Sequence, residues 1–321
     1  MRTHDLHELP KVRDKLGYLY VEHCRIDQED KAIALHDETG VTSVPCAALS
    51  LLMLGPGTSI THAAILTLAD SACLTAWCGE QGIRYYASGS GATRDAYALL
   101  RQAALCSDDA ARLKVVRRLY EARFKGKIDP SLTLQQLRGR EGVRVRDAYA
   151  HAARETGIQW QGRNYDRGNW NAADPVNRAL SAANACLYGI CQAAIIAAGY
   201  STALGFIHTG KQLSFVYDIA DLYKCDMTVP LAFHVAAGHP INLEREVRIQ
   251  CRDVFAEQRL LQRIVDDIAQ ILDIPPDEDT RLDEDPALPG ALWDPRQGSC
   301  PGGIQYGADD SGDIGHGDHD S

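Results

Sequence analysis

Short apolar runs bounded by turn signals fill the amino-terminal quarter of this 321-residue chain. The segments LGYLYVE, KAIALHD, VTSVPCA, LSLLML, CLTAWC and IRYYAS, between residues 16 and 88, have the length and the β-branched, leucine or aromatic content of strands. One helix is expected among them, in GTSITHAAILTLADSA, where Ser59 and Thr61 are N-cap candidates ahead of apolar residues at helical spacing. After the loop ASGSGATRD at 87–95 the period changes. Apolar positions then recur at helical intervals through 93–105, 109–125, 141–156, 174–199 and 243–272. The expected fold class is α+β. It comprises a β-rich, sandwich-like domain over 1–88, an all-α domain over 89–273, and a tail over 274–321. The tail is acidic and rich in Pro and Gly, a composition that buries no core, so disorder is expected there. Its apolar island PALPGALW reads as a segment that orders on a partner.

Composition changes this picture in three places. The formal charge of −10 sits in the tail, where twelve Asp and Glu face two Arg from Ile274 onward, leaving the body with 31 residues of each sign. Within that neutral body, residues 112–146 hold eleven Lys and Arg against Glu121, Asp129 and Glu141. Such an excess suits a phosphate-binding face, and it equally suits solvated helix faces. No charged residue lies between Arg178 and His208, a length that would cross a bilayer. Ser181, Asn184, Gln192, Ser201 and Thr202 interrupt it, and no Lys/Arg cluster flanks it, so a buried central helix is expected and no membrane span. The ten cysteines are scattered without C-x-x-C, and the first residues lack an apolar leader core, which predicts reduced thiols in the cytoplasm.

Candidate chemistry concentrates in FIHTGKQLSFVYDIADLYKCD, residues 206–226. Charged groups among so many core-type residues call for a partner, a metal or a ligand. GFIHTGKQ approaches a P-loop but ends in Gln212, where Ser or Thr is needed to hold magnesium. Asp218 and Asp221, at i and i+3, would project from one helix face, and two nearby carboxylates resist ionisation unless a cation compensates them. A solvated or capping D-x-x-D explains the same spacing. His208 reads either as a ligand or as a hydrogen-bonded core histidine. Glu141, among Arg138, Arg140, Arg144 and Arg146, reads as a third carboxylate beside a polyanion site or as an intrahelical partner of those arginines.

In order along the chain, LRGREGVRVRDAY, GRNYD, ANACLYGI, AAGYSTALGFIHTGKQLSFVYDIADLYK and REVRIQCRDVF resemble the CRISPR-associated integrase family of type I-E systems, called Cas one, over residues 8–273. The resemblance implies a homodimer built through the β-rich domains, and two such dimers flanking a dimer of the small partner protein Cas two. It implies capture of short protospacer DNA and joining of its 3′-hydroxyl ends into a CRISPR leader-repeat array. By the same resemblance Glu141, His208 and Asp221 hold Mg2+ or Mn2+, and Asp218 is a further acidic residue that the activity needs. Arg84, Arg138, Arg146, Arg163, Tyr165, Lys211, Tyr217, Lys224, Arg245 and Arg248 fall on the DNA path. Where better-known members carry basic residues after the PGT turn this chain has Ser59 and Leu66, and the aromatic wedge at the DNA fork is replaced by His23.

Overall fold

The computed structural model describes residues 17–30, 32–46, 49–71, 73–80, 85–89, 96–163, 174–273, 292–295 and 298–300. Two compact units divide it, Met1–Leu282 and Asp283–Ser321.

The larger unit begins with two four-stranded sheets. β1 (Gly17–Val21), β5 (Leu49–Leu54), β7 (Leu74–Cys78) and β8 (Tyr85–Gly89) form one, in the order β1-β5-β7-β8 with only β7 and β8 antiparallel. β2 (Arg25–Glu29), β3 (Ala32–Asp37), β4 (Gly40–Pro45) and β6 (Ser59–Ile60) form the other, in the order β4-β3-β2-β6. The sequence pattern missed β2, whose RIDQE is too polar to stand out, and β6, two residues in the segment expected to begin a helix. That helix, α1 (His62–Asp70), starts later because Thr61 rather than Ser59 caps it, accepting a hydrogen bond from Ala64 N–H.

β5 explains why LSLLML is a continuous apolar run. Leu52 and Leu54 face a cluster with Ile26, Ile33, Leu35 and Leu68, while Leu51 and Met53 face Leu74, Ala76 and, from a helix, Ala193 and Ala197. Both faces of this strand are buried, so alternation disappears.

The helices are α2 (Tyr97–Ser107), α3 (Asp109–Phe124), α4 (Leu134–Thr156), α5 (Pro175–Ala197), α6 (Ser214–Ala220), α7 (Val229–Ala237), α8 (Leu243–Glu257) and α9 (Leu260–Leu272). A π-helical turn, Lys224–Thr228, joins α6 to α7. α4 begins two turns before the expected residue 141 because Thr133 and Gln136 form a capping box, and it ends at Gly157 with φ +70°. α5 starts from Asp174 with Pro175 in its first turn, and it is the core of the unit: Leu180, Leu187, Cys191 and Ile195 are fully buried. Length and apolarity would let it cross a membrane, but most of it is covered by protein. The single helix expected over 243–272 is two, broken at Arg259, whose φ of +47° no glycine announces. Nine free cysteines are present among the described residues, most of them buried packing positions.

In the smaller unit, Leu292–Asp294 and Gly298–Cys300 pair as antiparallel strands β9 and β10. Leu292 and Trp293 belong to the apolar island PALPGALW, the one part of the tail expected to order. LWD and GSC are separated by three residues in sequence, close enough for a local antiparallel ladder.

Candidate functional site

The loop from Tyr200 to Leu213, between α5 and α6, is shaped by three polar side chains, two of them fully buried. Gln102 of α2 is fully buried. Its amide donates to the Ser201 and Leu204 carbonyls at 3.0 and 2.9 Å and accepts from Ser201 N–H at 2.8 Å. Arg112 of α3 donates to the carbonyls of Gly205 and Phe206 at 3.0–3.1 Å. Asp218 of α6 completes the set: one oxygen accepts from the N–H groups of Phe206 (2.6 Å) and Ile207 (3.1 Å), the other from His208 N–H (2.9 Å). Gly205 is required where the chain doubles back, since a Cβ there would lie 2.3 Å from the His208 carbonyl oxygen and 2.8 Å from the Ser214 backbone.

Asp218 also meets the His208 ring, its oxygen 2.8 Å from Nδ1. A carboxylate only accepts, so Nδ1 is the donor of this pair, and in the neutral ring Nε2 is then the nitrogen with the lone pair. That nitrogen lies 3.9 Å from Oδ2 of Asp221, the residue that caps α6. The two aspartates thus do different work. Both approach the His208 ring, but Asp218 is 0% exposed and Asp221 is 19% exposed. Compensation comes from N–H groups for the first and from cations for the second. Lys224 Nζ is 2.7 Å from Asp221 Oδ1, and Arg123 Nη2 is 3.3 Å from Oδ2. Burial alone would depress the Lys224 ammonium, but attraction to Asp221, with Tyr188 added, outweighs it and raises its pKa above the ordinary lysine value.

Glu141, on α4, is bound side-on by Arg144 at 3.2 and 3.3 Å, and Arg123 Nη1 stands 3.8 Å away. Arg144 also donates to the Asp221 carbonyl at 3.2 Å, which ties α4 to the end of α6. Among the described residues no three His, Cys, Asp or Glu side chains form a ready-made metal cage. Glu141 and Asp221 instead meet across the Arg123 guanidinium. Two carboxylates and one imidazole nitrogen are nevertheless a donor set that suits Mg2+ or Mn2+, and Nε2 of His208 is the free ring atom.

These motifs fall in a stretch, residues 122–252, that matches the family model described as CRISPR associated protein Cas1. A CRISPR-associated endonuclease, Cas1 2, of Thermus thermophilus is 53% identical over 312 residues, which is 96% of this chain and 95% of that protein. The chain belongs to the Cas1 family. A second Cas1 endonuclease, from Geobacter sulfurreducens, is 50% identical over 81% of this chain and 86% of its own length. The crystal structure of the TtCas1–DNA complex superposes with a TM-score of 0.75 at 54% identity, covering 83% of this chain and all of that one.

The remaining candidates are spread over the helical part of this Cas1 chain. Tyr217 stacks edge-on between Tyr188 and His208, with ring centroids 5.1 and 5.8 Å away, and Lys211 is exposed on the loop above it. Arg138 and Arg146 are exposed on α4, and Arg245 is exposed on α8. Arg248, one turn further on α8, is mostly covered and lies 3.4 Å from Glu80. Arg163 donates to Asn177 at the start of α5. Arg84 and Tyr165 lie outside the described residues. Lys224, expected on the DNA path, is paired with Asp221 and sits 4.8 Å over the Tyr188 ring. The basic run also divides. Arg112, Arg117, Arg118, Arg123 and Arg144 bind carbonyls or carboxylates inside the fold, because each lies on a helix side that faces another element. Only Lys114, Lys127, Arg138, Arg140 and Arg146 stand exposed without an ion pair of their own. His23 is exposed in a left-handed conformation (φ +51°), its ring against Gly57 of the PGT turn.

Arg123 escaped sequence reasoning as a site residue. It looked like one more surface cation, and the available signal was its place on the apolar side of α3, between Leu119, Tyr120 and Phe124.

Proposed function

We propose that this chain is the adaptation integrase of a type I-E CRISPR system, a divalent-metal-dependent DNA endonuclease and transesterase that joins the 3′-hydroxyl ends of a short protospacer into the leader-repeat array. On this reading it works in the cytoplasm as a homodimer, two dimers per complex with the small partner Cas two. The observation that carries the reading is the clamp on His208: Asp218 fixes Nδ1, so Nε2 is presented toward Asp221, with Glu141 joined to Asp221 through Arg123. Membership of the Cas1 family supports the reaction class.

Glu141, Asp221 and His208 Nε2 would hold Mg2+ or Mn2+, which when bound supplies Lewis-acid activation of the attacking hydroxyl and charge stabilisation at the phosphate. The chain's own residues prepare that chemistry. Asp218 holds the imidazole tautomer and the 206–208 backbone in one position. Lys224 keeps Asp221 oriented, and Arg144 does the same for Glu141. Tyr217, against the His208 ring, and the exposed Lys211 would meet a DNA end, and the exposed arginines of α4 and α8 would meet phosphates. Arg84, Arg163 and Tyr165 extend this proposed path.

The test mixes the purified chain, Cas two, Mn2+, a labelled duplex with 3′-hydroxyl ends and a supercoiled plasmid bearing leader and repeat. Label should enter the plasmid with the parent chain. It should not enter with Asp221→Ala or with a blocked 3′ end. Metal-dependent nicking without joining would replace the integrase reading with that of a nuclease.

A further inference from the structure

Arg123 is 3% exposed, and no mechanism step above uses it. It leaves α3 and places Nη1 3.8 Å from Glu141 Oε1 and Nη2 3.3 Å from Asp221 Oδ2. Nη2 also donates to the Asp218 carbonyl at 3.2 Å. The guanidinium carbon lies 5.5 Å from the Tyr120 ring centroid, while the buried Nε has no hydrogen-bond partner. A buried donor left unsatisfied is costly, so the position is held by the Nη contacts.

Neither carboxylate depends on Arg123 alone. Glu141 keeps Arg144 on both oxygens, and Asp221 keeps Lys224 at 2.7 Å. What Arg123 alone does is connect the two. Its positive charge therefore stands where a dication shared by Glu141 and Asp221 would have to work against it, in surroundings that screen charge less than water does.

We propose that Arg123 is a positioning residue, a resident cation that spans Glu141 and Asp221 and lowers the affinity of that pair for a divalent metal by competing for their oxygens. This inference rests on the metal reading above. A groove of about 550 Å³ lined by Arg123, Lys127, Arg140, Arg144 and Cys225 runs beside this position.

Mn2+ binding to the full chain, followed by the electron paramagnetic resonance signal of free Mn2+, tests the inference together with thermal unfolding with and without Mn2+. Arg123→Met removes the charge at similar length. It should bind Mn2+ about tenfold tighter than the parent, and its midpoint should rise further on adding Mn2+. A role in packing alone would lower the midpoint equally in both conditions and leave affinity unchanged, and that result overturns the inference. Weaker Mn2+ binding by Arg123→Met also overturns it, since Arg123 would then assist the metal. Arg123→Lys keeps a charge that cannot span both carboxylates, so it should bind Mn2+ with intermediate affinity. That variant decides the question if the Met variant fails to fold. Should the parent show no Mn2+ binding that Asp221→Ala removes, the metal reading itself falls and the inference with it. Equal affinity in parent and variants that do bind Mn2+ overturns the inference alone.

Discussion

Replacing Asp218 by Asn separates its structural work from any direct part in chemistry. The carboxylate is fully buried and takes hydrogen bonds from three successive N–H groups and from His208 Nδ1. An amide keeps one acceptor oxygen. Turned one way, its NH2 faces the Phe206 and Ile207 N–H groups; turned the other, it faces His208 N–H and a ring that can switch tautomer and accept from it. At least one buried N–H therefore loses its partner, at a cost of about 1–3 kcal/mol. In a unit of this size about 1 kcal/mol moves the midpoint by about 2–4 °C, so a drop of about 5 °C is expected. Thermal unfolding followed by circular dichroism at neutral pH measures it, with exposed Lys211→Ala as a control that should stay close to the parent. Nitrogen NMR of the His208 ring supplies a second readout. The parent should show Nδ1 protonated and Nε2 bare, and the variant a tautomer mixture. A midpoint within about 2 °C of the parent, with the ring tautomer unchanged, would refute the clamp.

Gly205→Ala should destabilise the chain by about 2 kcal/mol or more, because the new methyl meets backbone atoms of His208 and Ser214 that cannot swing aside; an unchanged unfolding midpoint would contradict the close approach. Burial first, and the Glu22 charge second, push the Cys78 thiol up to about 12 from its ordinary value of 9.0. The folded form thus holds a proton that the unfolded chain gives up, so the contribution of Cys78 is fully present below about pH 9 and fades toward about pH 12. Urea unfolding across that range should therefore fall more steeply with pH for the parent than for Cys78→Ala, and parallel slopes would refute the assignment.

Legibility in the sequence followed how local each determinant is. The strands β3, β5 and β7 and the helices α3 and α5 showed as runs or periods, since burial of one whole element leaves its mark within that element. α6 and α7 did not. Their residues, from Ser214 to Ala237, are apolar on nearly every side, and a buried helix of seven or nine residues has no polar face to set its period. The break at Arg259 has no local signal either, because a left-handed arginine is imposed by the packing of Leu260, Ile264 and Ile268 of α9. For the site, the identities of Glu141, His208, Asp218 and Asp221 were readable through the family resemblance, but their division of labour was not. The His208–Asp218 contact spans ten positions, with a loop between them that obeys no helical spacing. The link from Arg123 to both carboxylates joins α3, α4 and α6, and it exists only once these helices pack.

The division of the basic run shows where a body that is neutral in sum keeps exposed positive charge. Arg112 and Arg123 are spent on the loop carbonyls and on the acidic pair, so they set the geometry of the site and add little field outside it. Arg138, Arg140 and Arg146 remain exposed on α4, the helix that also carries Glu141. The net acidity of the chain is confined in sequence to the residues from Ile274 onward, with twelve Asp and Glu against two Arg, so the body before them is neutral in sum. On the proposed function, a phosphate chain drawn to α4 would be brought beside Glu141, so the same helix would both attract it and supply one of the carboxylates that act on it.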